Sequence, residues 1–258
     1  MRVELLPSSL PASGARCSGA QFLVSYLVDD AVAIDAGSLG LLADLRRQER
    51  VRHVVVTHEH IDHIATLPIF LENVYAPGPD CVELLATEDV LDFLHRDIFN
   101  GRVWPDFFAL STGDDRFVHG TPLTAHEPLT RAGLTLTPLP VSHVEGSLGV
   151  LVDDGRVAVA FPSDTGPTDH FWRHLATCDR LQAVFLEVSF PDGMADLAAV
   201  TGHHCPRSFA AEIRKLERDV RWIVVHRKAR YAAEIARELA ALGLKNVELV
   251  EPGRVYEF

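Results

Sequence analysis

The stretch VVVTHEHIDH, residues 54–63, turns from four strand-forming residues to three histidines and an aspartate within the next six positions. So many metal-ligating groups are too costly for an apolar core unless each is paired. A strand ending at Thr57 delivers them into a loop at a sheet edge, where His58 and His60 can converge on one cation while Asp62 and His63 turn toward another. The spacing is not the HExxH of helical zinc proteases, because no pair of these histidines is separated by three residues. It reads as a loop site.

Two cations need more ligands than this loop offers, and single polar residues follow three other apolar runs. His143 comes after LTLTPLPVS, Asp164 after VAVAFPS and His226 after RWIVV. Each stands where a strand end would present it.

The 258-residue chain is 47% hydrophobic and 23% charged, which places it among ordinary globular proteins rather than fibrous or disordered ones. Its formal net charge of −12 makes long nucleic acid a poor partner, although a small anion held at bound cations remains compatible. Four scattered cysteines, Cys17, Cys81, Cys178 and Cys205, form no CxxC pair and suggest neither a disulfide framework nor a zinc–thiolate site. The N-terminal MRVELLPSSLPASGARCSG lacks an apolar leader core, and no apolar run approaches the ~18 residues of a membrane span. These features predict a cytoplasmic protein that does not enter a membrane.

Strand-like runs and helical patterns intermingle along the whole chain, the helices being expected at Leu39–Arg50, Leu67–Val74, Glu88–Ile98, Thr168–Cys178, Pro206–Asp219 and Ala229–Leu242. Turns such as Asp154-Gly155 in LVDDGRVAVAF imply antiparallel pairing early in each half, and later strands arrive through helices. The fold class that follows is α/β: an αββα sandwich of two mixed β-sheets flanked by helices. No Pro/Gly/Ser linker divides the chain, so residues 1–258 are expected to form one domain. Within it, Tyr75–Asp115, with its aromatic cluster Phe99, Trp104, Phe107 and Phe108, suits a cap or dimer-contact insertion better than a sheet.

The motifs THEHIDH, the later His143, SDTG and VVH226 together resemble the metallo-β-lactamase superfamily of binuclear metal hydrolases. The stretches IFNGRVWPDF, SDTGPTDHFW, EVSFP and GHHCP are similar to its class II cyclic-nucleotide phosphodiesterase branch, and the matching motifs span about three-quarters of the chain. The resemblance implies that His58, His60 and His143 hold one divalent metal, that Asp62, His63 and His226 hold the other, and that Asp164 bridges them. The lactamases carry a cysteine where Asp164 stands, which disfavours a β-lactam substrate. Zinc is the default for so histidine-rich a shell, and manganese or iron would also suit its carboxylates.

Such a pair of metals would generate a bridging hydroxide and stabilise charge on phosphoryl oxygens, with Asp62 contributing as ligand and catalytic residue. An alkoxide leaving group also calls for a proton donor. His203, ahead of the helical Pro206–Asp219, is the candidate, with His204 as its neighbouring rival and Glu187 of EVSF as the carboxylate that orients a site histidine. GHHCP departs from the branch at His204-Cys205, where an aliphatic residue and a threonine are expected. His53, His95, His119, His126, His170 and His174 receive no role, and Arg227-Lys228 suits a phosphate contact or a solvated turn equally.

The expected activity is hydrolysis of 3′,5′-cyclic nucleotides to 5′-monophosphates, by a homodimer acting on a small-molecule substrate. A tRNA 3′-processing endonuclease is the first alternative, but only 20 residues lie between His143 and Asp164, leaving no room for that family's basic arm. A thioester or lactone hydrolase is the other.

Overall fold

The computed structural model describes residues 1–8 and 21–258; Cys17 and the stretch 9–20 of the N-terminal segment lie outside the described residues. Two compact units account for the chain. Among the described residues, the first comprises 1–8, 23–124 and 252–257, and the second 21–22, 125–251 and 258.

The first unit is built on a seven-stranded mixed sheet. Its strands are β1 (Arg2–Leu5), β2 (Tyr26–Val28), β3 (Val32–Ile34), β4 (His53–Val55), β5 (Val82–Ala86), β6 (Val118–Pro122) and β14 (Val255–Glu257), in the order β14-β1-β2-β3-β4-β5-β6. Pairing is antiparallel from β14 to β3 and parallel from β3 to β6. The parallel crossovers carry α1 (Leu45–Arg50), α2 (Ile61–Ile64), α3 (Leu67–Val74), α4 (Glu88–Phe93) and α5 (Phe107–Leu110). Val54, Leu84 and Ala86 pack with Phe70, Leu71 and Leu94 in one buried cluster, each large side chain contributing ~1.5–3 kcal/mol on burial.

The second unit repeats this plan with β7 (Leu129–Arg131), β8 (Leu134–Pro140), β9 (Leu148–Asp153), β10 (Ala158–Ser163), β11 (Leu181–Glu187), β12 (Arg221–Val225) and β13 (Val247–Leu249), ordered β13-β12-β11-β10-β9-β8-β7. Strands β7 to β10 pair antiparallel and β10 to β13 parallel. Its helices are α6 (His170–Leu175), α7 (Ala195–Val200), α8 (Pro206–Ile213) and α9 (Ala232–Ala241). The core gathers Phe171, Trp172, Phe209, Trp222, Ile235 and Leu239. Two mixed sheets flanked by helices are thus the observed fold class.

Local departures have identifiable causes. The helix expected over Leu39–Arg50 is a 3-10 turn at Leu39–Leu41 followed by α1, because the Asp44 carboxylate accepts the Arg46 N–H and starts the helix afresh. Glu88–Ile98 begins as α4 and widens into a π turn at Leu94–Ile98. Strand β6 (VHGTP) contains glycine and proline and shows no strand pattern; it forms because it lies at the sheet edge, where proline's missing N–H is tolerated. Residues 75–115 include β5, an interior strand, and Phe99 and Phe107, which are buried in the first unit's core.

The segment carrying His58, His60, Asp62 and His63 is fixed by backbone hydrogen bonds. Val24 N–H donates to the Asp62 carbonyl (2.9 Å), Ala36 N–H to the His63 carbonyl (2.7 Å) and Gly37 N–H to the Val24 carbonyl (2.9 Å). Gly37 permits this approach, since a Cβ there would lie 1.9 Å from the Asp62 oxygen. Gly37→Ala should therefore displace the loop at a cost of ~1–3 kcal/mol or more, lowering Tm by roughly 5–10 °C. Gly193→Ala, with open space around its Cβ, is the matched control and should show no loss in the same thermal melts; equal melting of the two variants would refute the packing argument.

Candidate functional site

In the first unit, β3 and β4 run parallel and release Asp35 and Thr57 side by side, Asp35 N–H donating to the Val55 carbonyl at 2.7 Å. The buried Asp35 carboxylate accepts from Thr57 N–H (2.8 Å), from the Thr57 hydroxyl (3.0 Å) and from His63 Nδ1 (2.7 Å). A carboxylate can only accept, so His63 carries its proton on Nδ1 and keeps its lone pair on Nε2. The Thr57 hydroxyl spends its single proton on Asp35 and accepts from His58 Nδ1 at 3.0 Å, which fixes His58 in the same tautomer. His58 and His63 are fully buried, with ring centroids 4.2 Å apart, while His60 is exposed as the residue preceding α2, its ring 4.7 Å from that of His58. Asp62, partly buried, lies in the first turn of α2. This unit thus gathers His58, His60, Asp62 and His63. Asp35, invisible to the motif reading, is the carboxylate that holds His63 directly and His58 through the Thr57 hydroxyl.

In the second unit, His143 follows β8 and donates from Nδ1 to the Gly202 carbonyl (3.0 Å), leaving Nε2 4.0 Å from Asp164 Oδ2. Asp164 follows β10 directly. Glu187 closes β11, and His226 follows β12, its N–H donating to Gln21 Oε1 at 2.8 Å. His203, after α7, donates from Nδ1 to Glu187 Oε1 at 2.6 Å and lies 4.0 Å from Asp164 Oδ2. Burial alone would depress the His203 pKa, but the Glu187 carboxylate outweighs it and holds the imidazole above its ordinary value. Burial likewise pushes Glu187 up, and the hydrogen bond from His203 reverses this, so its pKa is lowered. Both directions describe one buried, charge-matched pair.

His204 differs from its neighbour. Its Nδ1 meets the Ser208 hydroxyl at 3.1 Å, burial holds its pKa down, and its buried Nε2 has no hydrogen-bond partner. The pair with Glu187 belongs to His203. The six histidines left without a role are elsewhere; His53, for example, meets Glu83 at 2.9 Å.

Strain marks the strand ends. Asp35, Ser163 and His226 all adopt positive φ (61°, 60° and 52°) although none is glycine; each such residue costs ~1–3 kcal/mol, persisting where surroundings over-determine it. Asp164, His203 and His226 offer ligand atoms all within 4.8 Å of one another, so this group is able to hold a metal ion. Imidazole nitrogens presented by fixed tautomers beside a carboxylate oxygen suit a divalent cation.

The family described as Beta-lactamase superfamily domain matches residues 32–227, most of the chain. The chain therefore belongs to the beta-lactamase superfamily. Within it, a Yersinia pestis protein named probable 3′,5′-cyclic-nucleotide phosphodiesterase is 29% identical over 220 residues, 75% of this chain and 62% of that protein. The chain thus spans less than two thirds of this relative's length. Among solved structures, unliganded yeast PDE1 aligns with a TM-score of 0.74 at 15% identity over 98% of both chains. The metallo-beta-lactamase fold protein YhfI from Bacillus subtilis aligns at 0.71 and 15% identity, over 99% of this chain and 98% of that one. These likenesses give the fold: the metallo-β-lactamase fold.

Asp35→Asn should turn an NH₂ toward His63 and force its proton onto Nε2. Zinc affinity, read by competition with a chromophoric chelator, should fall ~10–100-fold while far-UV circular dichroism stays that of the parent. Unchanged affinity would show that Asp35 does not orient His63.

Proposed function

We propose that this chain is a metal-dependent phosphodiesterase that opens 3′,5′-cyclic nucleotides to nucleoside 5′-monophosphates. In this reading His58, His60 and His143 hold one zinc ion, Asp62, His63 and His226 hold a second, and Asp164 serves both. Bound cations would bring a water molecule's pKa to near neutrality and offset charge on the phosphoryl oxygens. The protein's own residues do the rest. His203 gives a proton to the departing 3′ oxygen, Glu187 keeps that proton available by stabilising the imidazolium, and the buried setting strengthens both contacts.

The observation that carries the reading is the 2.6 Å His203–Glu187 pair set 4.0 Å from Asp164. Metals alone serve esters and thioesters as well as phosphodiesters. A thiolate leaves readily without a proton, whereas a sugar alkoxide does not, so a dedicated acid favours the phosphodiester. The named relative supports the same substrate class, and the net charge of −12 counts against a tRNA substrate. No helix among the described residues is long and apolar enough to cross a membrane, which is compatible with a small soluble substrate. A homodimer using residues 75–115 as contact or cap belongs to the same proposal.

The test is a substrate panel offered to zinc-loaded protein: 3′,5′- and 2′,3′-cyclic nucleotides, a cyclic dinucleotide and a thioester, with products identified by chromatography. The 3′,5′-cyclic nucleotides should yield 5′-monophosphates; thioester cleavage without cyclic-nucleotide turnover would overturn the proposal. Asp164→Ala should fold, lose metal and abolish turnover. His203→Ala should lower kcat ~10²–10⁴-fold on the cyclic nucleotide and far less on bis(p-nitrophenyl) phosphate, whose leaving group needs no proton. Equal losses on both substrates would make His203 a phosphate-binding group instead.

A further inference from the structure

Ser189 lies at the centre of the second unit's polar cluster, fully buried two residues beyond Glu187. Its hydroxyl is 2.7 Å from Glu187 Oε2, 2.9 Å from His226 Nδ1, 3.1 Å from the His226 carbonyl and 3.4 Å from His203 Nδ1. A hydroxyl has one proton to give, and a carboxylate accepts more strongly than a carbonyl. Ser189 therefore donates to Glu187 and accepts from His226 Nδ1–H.

The first unit contains the same device. There the Asp35 carboxylate takes a backbone N–H from Thr57, an imidazole from His63 and a hydroxyl from Thr57, and that hydroxyl accepts from a second imidazole, His58. In the second unit the Glu187 carboxylate takes a backbone N–H from Thr165 (3.3 Å), an imidazole from His203 and a hydroxyl from Ser189, which accepts from His226. Unrelated stretches of chain arrive at one carboxylate, one hydroxyl and two imidazoles in the same connectivity.

We infer that Ser189 is a positioning residue: its hydroxyl holds His226 as the Nδ1–H tautomer, with the lone pair on Nε2, and ties that ring to the Glu187–His203 pair. The inference rests on the proposed role of His226 as a metal ligand. Through Ser189, one carboxylate sets the orientation of two imidazoles with different tasks, His203 directly and His226 at one remove. The contacts of the buried hydroxyl are with Glu187, His203 and His226, and its effect passes through these neighbours.

The measurement is the affinity of the purified chain for Zn²⁺ alone, by chelator competition, with histidine ¹⁵N NMR of the metal-free protein reporting tautomers. Ser189→Ala should bind zinc ~10–100-fold more weakly and should take His226 out of a single Nδ1–H tautomer. Ser189→Thr, which restores a hydroxyl, should recover zinc affinity to within about threefold of the parent; Ser189→Cys, of similar volume but a weaker hydrogen-bonding group, should fall between, and covers the case in which threonine does not pack. In a Glu187→Gln background, Ser189→Ala should add little, because the anchor of the hydroxyl is already altered. Parental zinc affinity in Ser189→Ala, an unchanged His226 tautomer, or an equal loss in both backgrounds would overturn the inference. Failure of the phosphodiesterase reading would look different: the zinc-loaded parent would not turn over cyclic nucleotides, while the zinc affinities kept this pattern.

Discussion

Five of the six histidines given a role in metal binding or proton transfer are held through Nδ1. His58 is held by the Thr57 hydroxyl, His63 by Asp35, His143 by the Gly202 carbonyl, His203 by Glu187 and His226 by the Ser189 hydroxyl. An imidazole has two nitrogens, and anchoring one by its proton decides what the other can be. Held at Nδ1, each ring turns Nε2 outward as the atom available for chemistry, and its rotation is stopped by a bond rather than by packing alone. The architecture supplies those acceptors. Parallel strands release successive residues at one end of each sheet, and that is where Asp35, Thr57, Glu187 and Ser189 are found.

Burying two carboxylates carries a large desolvation cost, which only complete hydrogen bonding offsets. Asp35 and Glu187 each receive a backbone N–H, a hydroxyl and an imidazole, so neither is left with an uncompensated charge. The residues that would suffer most from loosening are also the strained ones. Positive φ at Asp35 and His226 is held by long-range bonds, Asp35 N–H to Val55 and His226 N–H to Gln21. Strain and satisfaction thus support each other: the bends aim the side chains, and the hydrogen bonds maintain the bends.

The fold class, and the candidate site residues grouped within each unit, were legible because both are local signals. A histidine or aspartate soon after an apolar strand marks His58, His143, Asp164 and His226, and Asp35 after β3 shares the pattern without a neighbouring motif to single it out. Acceptors were not legible in the same way. Asp35 is 28 positions from His63, Ser189 is 37 from His226, and Gly202 is 59 from His143. A short VAIDAG or EVSF carries no mark of the distant ring it will hold, because only the pairing of β3 with β4, or β11 with β12, brings them together. Strands β6 and β7 escaped for a related reason: at sheet edges, position in the sheet overrides composition.

The order of the strands explains why one plan could serve twice. Each unit pairs its early strands antiparallel and closes with parallel strands, which need crossover helices. Parallel strands all end on the same side, so their exits are the one place where several side chains from distant sequence meet without further design. A carboxylate at one exit and a hydroxyl close beside it are then sufficient to hold two imidazoles: Asp35 with Thr57 beyond β3 and β4, Glu187 with Ser189 at the end of β11. The difference between the units lies in what the directly held ring does. His63 sits at no exposure with its partner Asp35, whereas His203 keeps some exposure and a raised pKa. The same four-group device holds one ring directly and a second through a hydroxyl in each unit, and in the proposed reading the directly held ring serves as a ligand in one unit and as a proton donor in the other.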